Sequence, residues 1–186
     1  HKELRDQIRR FAQRAIAPNA SVWEEAEEFP VSLYRESAEA GFLGLGYPED
    51  VGGVGGDFGH AMVAAEEMLI AGQSVGTVVG LGSLNIAVPS ILVHGTAEQK
   101  ERYVRPALTG EKIAALAITE PGGGSDVASI RTTARREGDH YVVNRSKTFI
   151  TSGTRADYIS AAVRTGGDGY AGVSMLLIDR DTPGYE

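Results

Sequence analysis

The sequence predicts an α+β protein, with an N-terminal all-α domain followed by an antiparallel β-barrel-like domain. Apolar residues recur three and four apart between Leu4 and Tyr103, which is the spacing that lines one face of a helix. From Lys112 onward, runs of β-branched residues are separated by short turns rich in Gly, Asp and Asn. The change of pattern places a domain boundary there and predicts domains at residues 1–111 and 112–186. Helices followed by strands indicate segregated layers, not a doubly wound sheet.

Five helices are predicted in the first domain. Pro18 stops the first one, Gly41 and Gly72 follow the next two, and a capping box of Thr96 and Gln99 opens the last. Pro106 is expected to kink or end that last helix. The predicted helices cover residues 4–16, 31–40, 58–70, 86–93 and 96–105.

The third predicted helix carries adjacent carboxylates at Glu66 and Glu67. We expect these to form a solvated helix face, with one of them available for an ion pair between domains. We therefore interpret both residues as structural.

Six strands are predicted in the second domain, at residues 113–119, 129–137, 141–143, 148–151, 158–164 and 173–179. Gly138-Asp139 and residues 166–169 are interpreted as hairpin turns. The sequence stops in the turn-like Pro183-Gly184-Tyr185-Glu186 with no closing strand after it. We therefore expect an incomplete barrel.

Composition excludes several classes of function. There is no cysteine, which removes disulfides and thiol chemistry, and the four histidines form no zinc-binding pair. A net charge of −7 disfavours nucleic acid as the partner. The apolar run at residues 75–93 contains Pro89 and many glycines, so we expect no membrane insertion. No secretory signal is visible, and the expected location is cytoplasmic.

The segment from Leu116 to Ser129 is the most informative one: L-A-I-T-E-P-G-G-G-S-D-V-A-S. Three glycines allow backbone N–H groups to converge on one anion, and Ser125 can add a hydroxyl donor. On shape alone, a phosphate site and a structural tight turn are equally good interpretations. The segment is neither a Walker A loop nor a Rossmann fingerprint, because no Gly-Lys-Ser/Thr follows and a strand comes next instead of a helix.

The motif T-E-P-G-G-G-S-D-V-A-S closely resembles the signature of the acyl-CoA dehydrogenase family. Residues 138–144 (G-x-x-Y-V-V-N) and 146–153 (S-K-T-F-I-T-S-G) resemble the same family, as do residues 41–55 upstream. The likeness runs in register through the whole chain. It implies that the C-terminal helical bundle domain of the family is absent here, and with it the catalytic base.

The resemblance also implies which residues hold FAD. Thr119 would hydrogen-bond the isoalloxazine edge, Phe149 would pack on the ring, and the Thr151 hydroxyl would lie near N5. Ser125 would lie beside both the FAD pyrophosphate and the acyl-CoA substrate. The implied cofactor-binding residues are Leu116, Ala117, Ile118, Thr119, Gly124, Ser125, Phe149, Ile150 and Thr151.

The function implied by the resemblance is α,β-dehydrogenation of an acyl-CoA thioester in fatty acid metabolism, with electron-transfer flavoprotein as acceptor and a homo-oligomer, dimer or tetramer, as the assembly. Two alternatives stay open: a related oxidase or monooxygenase, or a flavin-binding subunit whose partner supplies the base. Glu120 is a tempting base beside Thr119, although pairing within the turn is the preferred interpretation. Arg145 departs from the glycine usual in the family, which disfavours a type I′ turn there.

Overall fold

The computed structural model describes residues 1–186, and the chain divides into two compact units. We call His1–Ile113 the helical unit and Ala114–Glu186 the sheet unit. The α-helices of the helical unit are α1 Lys2–Ala15, α2 Ala20–Ala26, α3 Ser32–Glu39, α4 Phe58–Gly72, α5 Val75–Leu81, α6 Leu84–Ala87, α7 Pro89–His94, α8 Ala97–Gln99 and α9 Arg105–Leu108.

Helices α1 and α4 pack against each other and form the core of the helical unit. The buried face of α1 carries Ile8 and Phe11, and α4 buries Ala64 and Met68. Glu67 lies on the same side of α4 and exposes only 3% of its side chain. The prediction of a solvated face is therefore wrong for Glu67, because arginines from α1 accompany it into the interface.

Two helices, α2 and α5, were not predicted from the sequence. Helix α5 contains two glycines and three valines, which are weak helix formers. Its start is fixed by side chains instead: Ser74 accepts from the Thr77 N–H at 3.1 Å, and Glu24 of α2 accepts from the Gly76 N–H at 3.0 Å. These contacts supply orphan donors of the first turn with acceptors, which local propensity does not record.

The capping box of Thr96 and Gln99 is confirmed, with reciprocal bonds of 3.2 and 2.9 Å. The helix does not end at Pro106. A π-helical turn at Lys100–Val104 precedes α9, and Pro106 occupies the first turn of α9. A proline there needs no intrahelical N–H bond, and the widened turn before it accommodates the ring.

One helical stretch, Val75–His94, is long and apolar enough to cross a membrane by length and composition alone. Half of it is buried inside the protein, as in the core helices of many proteins, so it is weak evidence for a membrane span.

The sheet unit contains one five-stranded sheet. Its central strand, β4, is hydrogen-bonded to three others: antiparallel to β5 along its whole length, parallel to β1, and parallel to β2 at a single register position. Strands β2 and β3 form an antiparallel hairpin. The strands are β1 Ala114–Ala117, β2 Thr133–Glu137, β3 His140–Asn144, β4 Tyr158–Arg164 and β5 Val173–Asp179.

The prediction of an antiparallel sheet is wrong, because β4 pairs in parallel with β1 and β2. The sheet does not close into a barrel, and an incomplete barrel is what the sequence predicts. Both predicted hairpin turns exist, and they give the two antiparallel pairs. The parallel pairs arise because the segment between β3 and β4 carries the chain back before β4 begins. No short turn in the sequence marks that reversal.

Two predicted strands also change. Residues 129–132 precede β2 instead of belonging to it, and Val127–Ser129 forms a 3₁₀ turn. Residues 148–151 form no strand. Phe149 has φ of +55° and Ser152 has φ of +63°, values that break an extended backbone.

Candidate functional site

The glycine loop, residues 121–125, follows the end of β1 in the sheet unit. Its turn is closed by backbone bonds in both directions between Glu120 and Gly123, at 2.9 and 3.1 Å. Gly124 folds back against the preceding strand end, since a Cβ at this position would lie 3.2 Å from Thr119 Cγ2. The loop therefore presents Gly122 and Gly123 at its tip, with Thr119 at its base.

A second segment, Lys147 to Thr151, lies beside this strand end. The Thr148 N–H donates to the Thr119 carbonyl at 2.9 Å, and Lys147 Nζ donates to the Ile118 carbonyl at 2.9 Å. Two stretches of sequence about 30 residues apart are thus joined directly, at the point where both carry predicted site residues.

The carboxylate of Glu120 lies where these two segments meet, and it binds Lys147 of the second one. Its carboxylate accepts from the Arg131 and Thr132 N–H groups, each at 2.8 Å, from the Thr132 hydroxyl, and from Lys147 Nζ at 3.0 Å. Both Glu120 and Lys147 expose only 9% of their side chains. Burial raises the pKa of Glu120, but the bonds from Thr132, Arg131 and Lys147 outweigh it and bring that pKa to about 2.

This arrangement makes Glu120 a structural residue. A carboxylate whose lone pairs are occupied and whose pKa is about 2 is a very poor proton acceptor near neutral pH. The interpretation of Glu120 as a paired group of the turn agrees with these contacts.

Phe149 is the unusual aromatic residue of the unit. It exposes 92% of its surface, and its backbone is held at φ of +55°. A large apolar side chain gains nothing from such exposure, and a left-handed backbone is uncommon for phenylalanine. The fold thus holds an aromatic ring outside its own core, next to Thr148.

The remaining predicted site residues divide by exposure. Ser125 and Thr151 are exposed, while Ile118, Thr119, Gly124 and Ile150 are partly buried. Leu116 and Ala117 belong to β1, where they pair with Ser160 and Ala161 of β4. Ala117 is buried in the core, so its backbone is all it can offer a ligand.

Sequence reasoning missed Lys147, Arg131 and Thr132 as parts of this site. The signal for Lys147 was present, because a lysine stands within the S-K-T-F-I-T-S-G segment, but its partner lies 27 residues away. The glycines at residues 167–172 lie in the turn between β4 and β5, and no α-helix begins there. No group of three or more potential metal ligands is present.

A cavity of about 660 Å³ lies on the tip side of the glycine loop. We call it the arginine cleft, after Arg131 and Arg145. Its polar lining comes from the segments on either side of the β2–β3 hairpin, and it includes Ser129, Thr133, Asn144 and Ser146.

Comparison with known proteins identifies the family. Residues 1–111 match the family model described as acyl-CoA dehydrogenase, N-terminal domain, and residues 115–186 match acyl-CoA dehydrogenase, middle domain. Together these matches span nearly the whole sequence. The chain belongs to the acyl-CoA dehydrogenase family, a class of flavoenzymes.

Individual relatives agree. Mitochondrial isobutyryl-CoA dehydrogenase of Dictyostelium discoideum is 39% identical over 184 residues, covering 98% of this chain and 44% of the relative. A crystal structure assigned to an acyl-CoA dehydrogenase of Mycobacterium smegmatis superposes with a TM-score of 0.96 at 52% identity, covering 98% of this chain and 48% of that one.

A glutaryl-CoA dehydrogenase from Mycobacterium smegmatis, solved in complex with FADH2, superposes with a TM-score of 0.85 at 29% identity. The match covers 98% of this chain and 46% of that protein. This chain thus spans less than half the length of these relatives.

Proposed function

We propose that this chain is the FAD-binding part of an acyl-CoA dehydrogenase, which converts an acyl-CoA thioester to the trans-2-enoyl-CoA. The observation that supports this proposal most strongly is the exposure of Phe149. Its aromatic ring is 92% exposed, and its backbone has the uncommon φ of +55°. The neighbouring Thr148 is hydrogen-bonded to Thr119, just after the end of β1. A ring held outward in this way suits stacking on a planar cofactor. The glutaryl-CoA dehydrogenase that was solved in complex with FADH2, the reduced form of FAD, supports the choice of cofactor.

The glycine loop fits the diphosphate of FAD. A Cβ at Gly122 or Gly123 would meet no atom within 4 Å, and neither residue has positive φ. Neither packing nor backbone conformation inside this chain therefore requires glycine at these positions. Close approach of a diphosphate to the bare backbone would account for glycine at both positions, and the exposed Ser125 hydroxyl adds a donor beside the tip.

When bound, FAD would supply the acceptor for the hydride that leaves the β-carbon of the substrate. The chain's own residues prepare the place for that chemistry. Phe149 would exclude water from one face, and the hydroxyls of Thr119 and Thr151 would donate hydrogen bonds to the ring edge. Glu120 and Lys147 hold the two segments that carry these groups in register.

The carboxylate that removes the α-proton is proposed to come from outside these 186 residues. Glu120 is the carboxylate next to Thr119, but its pKa of about 2 makes it too weak a base to remove the α-proton. Electron-transfer flavoprotein as acceptor, homo-oligomeric assembly and a cytoplasmic location belong to the same proposal. An electron-transferring flavoprotein of Acidaminococcus fermentans is among the solved structures that resemble this chain, at 32% identity.

The test is an anaerobic titration of the full gene product, loaded with FAD, with acyl-CoAs of several chain lengths. We expect the absorbance of oxidised flavin at about 450 nm to bleach with the preferred substrate. Slow reoxidation of the reduced flavin by air would favour a dehydrogenase over an oxidase. A flavin that stays oxidised with every acyl-CoA would contradict the proposal.

A substitution ties the result to the residue that carries it. Phe149→Ala should leave the unfolding midpoint unchanged, because the ring is exposed, and should weaken FAD binding about ten-fold or more. The matched control is Tyr170→Ala, which removes an aromatic ring exposed to 70% in the turn between β4 and β5. Equal FAD affinity in both variants would exclude Phe149 from the flavin site.

A further inference from the structure

Arg164, the last residue of β4, is partly buried and binds only backbone groups with its side chain. Its guanidinium donates four hydrogen bonds, all of them to carbonyl oxygens and none to a carboxylate. Two of these carbonyls lie before β2, at Ala128 (2.6 Å) and Ile130 (2.9 Å). The other two lie in the turn between β4 and β5, at Gly167 and Gly169. The guanidinium therefore ties two separate backbone segments together.

The turn between β4 and β5 is packed closely around this guanidinium. A Cβ at Gly172 would lie 2.8 Å from Nη1 of Arg164 and would overlap the carbonyl oxygen of Gly167. At Gly167 itself, a Cβ would meet no atom within 4 Å. The protein thus requires glycine at residue 172 for its own packing, and the guanidinium is part of what the turn packs against.

The segment before β2 is held by opposite charges on its two sides. On one side Arg164 binds the Ile130 carbonyl, and its backbone N–H donates to the Thr132 carbonyl at 2.6 Å. On the other side Glu120 accepts from the N–H groups of Arg131 and Thr132, each at 2.8 Å. The Ile130 carbonyl and the Arg131 N–H belong to the same peptide group. A cation and an anion thus bind the two ends of one peptide dipole, and each hydrogen bond strengthens the other.

Glu120 connects this segment to the glycine loop. Its backbone closes the turn of the loop by hydrogen bonds in both directions with Gly123, and its carboxylate also accepts from Lys147. Arg164 is therefore coupled to the loop through one peptide group and one carboxylate, although its own hydrogen bonds do not reach the loop.

From these contacts we propose that Arg164 is a positioning residue for the flavin site, which holds the segment before β2 against Glu120 and so keeps the glycine loop in the shape that binds FAD. The inference rests on the proposed function. A loop that already has its binding shape loses less conformational entropy when the ligand arrives, so the coupling appears as affinity. Lysine is a poor substitute for Arg164, because one ammonium lacks the planar fork that reaches carbonyls in two segments.

The first test needs no cofactor. Amide hydrogen exchange of the full gene product without FAD is followed by mass spectrometry in peptides that cover residues 127–133. Arg164→Lys should speed exchange there about ten-fold, because the N–H groups bound to Glu120 open more often. The matched control is Arg180→Lys, which changes an exposed arginine and should leave the exchange unchanged. Equal exchange in the two variants would overturn the coupling.

The second test asks whether the coupling reaches the flavin. FAD affinity is measured at a temperature where circular dichroism shows the parent and Arg164→Lys to be fully folded. We expect Arg164→Lys to bind FAD about ten-fold more weakly and Arg180→Lys to bind it like the parent. A residue that only stabilises the fold would lower the unfolding temperature and leave the affinity of the folded protein unchanged.

Chemical rescue separates the guanidinium from general stability. Added ethylguanidinium should restore FAD binding to Arg164→Ala, whereas ethylammonium at the same concentration should not, because only the first has the donor geometry of arginine. No difference between the two additives would contradict the proposal. A parent protein that binds no FAD would overturn the proposed function, while a parent that binds FAD no better than Arg164→Lys would overturn the role of Arg164 alone.

Discussion

Each unit of the molecule buries one glutamate among basic partners, and the two sites differ in what they hold together. In the helical unit, Glu67 of α4 accepts from Arg5 at 2.8 Å and from Arg9 at 2.9 and 3.0 Å, both on α1. In the sheet unit, Glu120 accepts from Lys147 and from two backbone N–H groups next to β2. The first carboxylate joins two helices, whereas the second fixes the shape of a loop.

The partners also differ in their access to water. The side chains of Arg5 and Arg9 are exposed to 35% and 49%, while Lys147 is exposed to 9%. An arginine that loses Glu67 can turn to solvent, but Lys147 would keep a buried charge. A buried pair is therefore far more sensitive to the loss of one partner when the other cannot leave.

The largest effect is expected for Glu120→Ala. It leaves the Lys147 ammonium and two backbone N–H groups buried without an acceptor, which should destabilise the sheet unit by about 3 kcal/mol. The loss of unfolding free energy is measured by urea unfolding, and amide hydrogen exchange of β1 and β2 is used to assign it to the sheet unit. Glu137→Ala is the control, since Glu137 is 45% exposed and pairs only with the exposed Arg135. Equal effects of the two variants would refute the comparison.

Acid should reproduce part of this loss. The pKa of Glu120 is lowered to about 2, so its contribution to stability is fully present above the ordinary pKa of 4.5 and is lost as the pH falls from there through 2. The sheet unit should therefore lose stability across this window, and Glu120→Gln should lose less over the same range. The measurement is a set of urea midpoints between pH 6 and pH 2 for both proteins. Parallel curves would show that Glu120 does not titrate with folding.

A smaller effect is expected for Glu67→Ala. Hydrogen bonds from Arg9 and Arg5 hold the pKa of Glu67 below its usual range against the effect of desolvation, so the carboxylate is ionised and paired. Its loss should lower the urea midpoint of the helical unit, but by less than Glu120→Ala lowers that of the sheet unit. Glu66→Ala, which removes an exposed partner of Arg5 only, should be nearly neutral. A larger loss for Glu66 than for Glu67 would contradict this account.

The sequence predicts helices correctly where one face of the helix packs against the core. Predictions for α1, α3 and α4 agree with the structure within two residues at each end, because buried residues there recur at helical spacing. Helix α5 was not predicted, since its start depends on Glu24 from another helix. The mistake over Glu67 has the same origin, because arginines 58 and 62 residues away bring it into the interface.

The sheet was less readable. Its antiparallel hairpins follow from local turns, but the parallel pairing of β1 with β4 joins residues 44 positions apart, such as Ala114 and Tyr158. The candidate site shows the same division. The glycine loop stands out in the sequence, whereas the Glu120–Lys147 pair and the positive φ of Phe149 arise only when distant segments meet.

The parallel pairing has a consequence for the order in which the molecule can assemble. Everything from Ile118 to Asp157, including the glycine loop and Phe149, lies inside the closed loop made when β4 docks on β1. Closing a loop of this length costs entropy before any contact compensates for it, and such non-local pairings form slowly. On the ribosome, the ligand-binding surface can therefore appear only after β4 has emerged, late in synthesis of the unit.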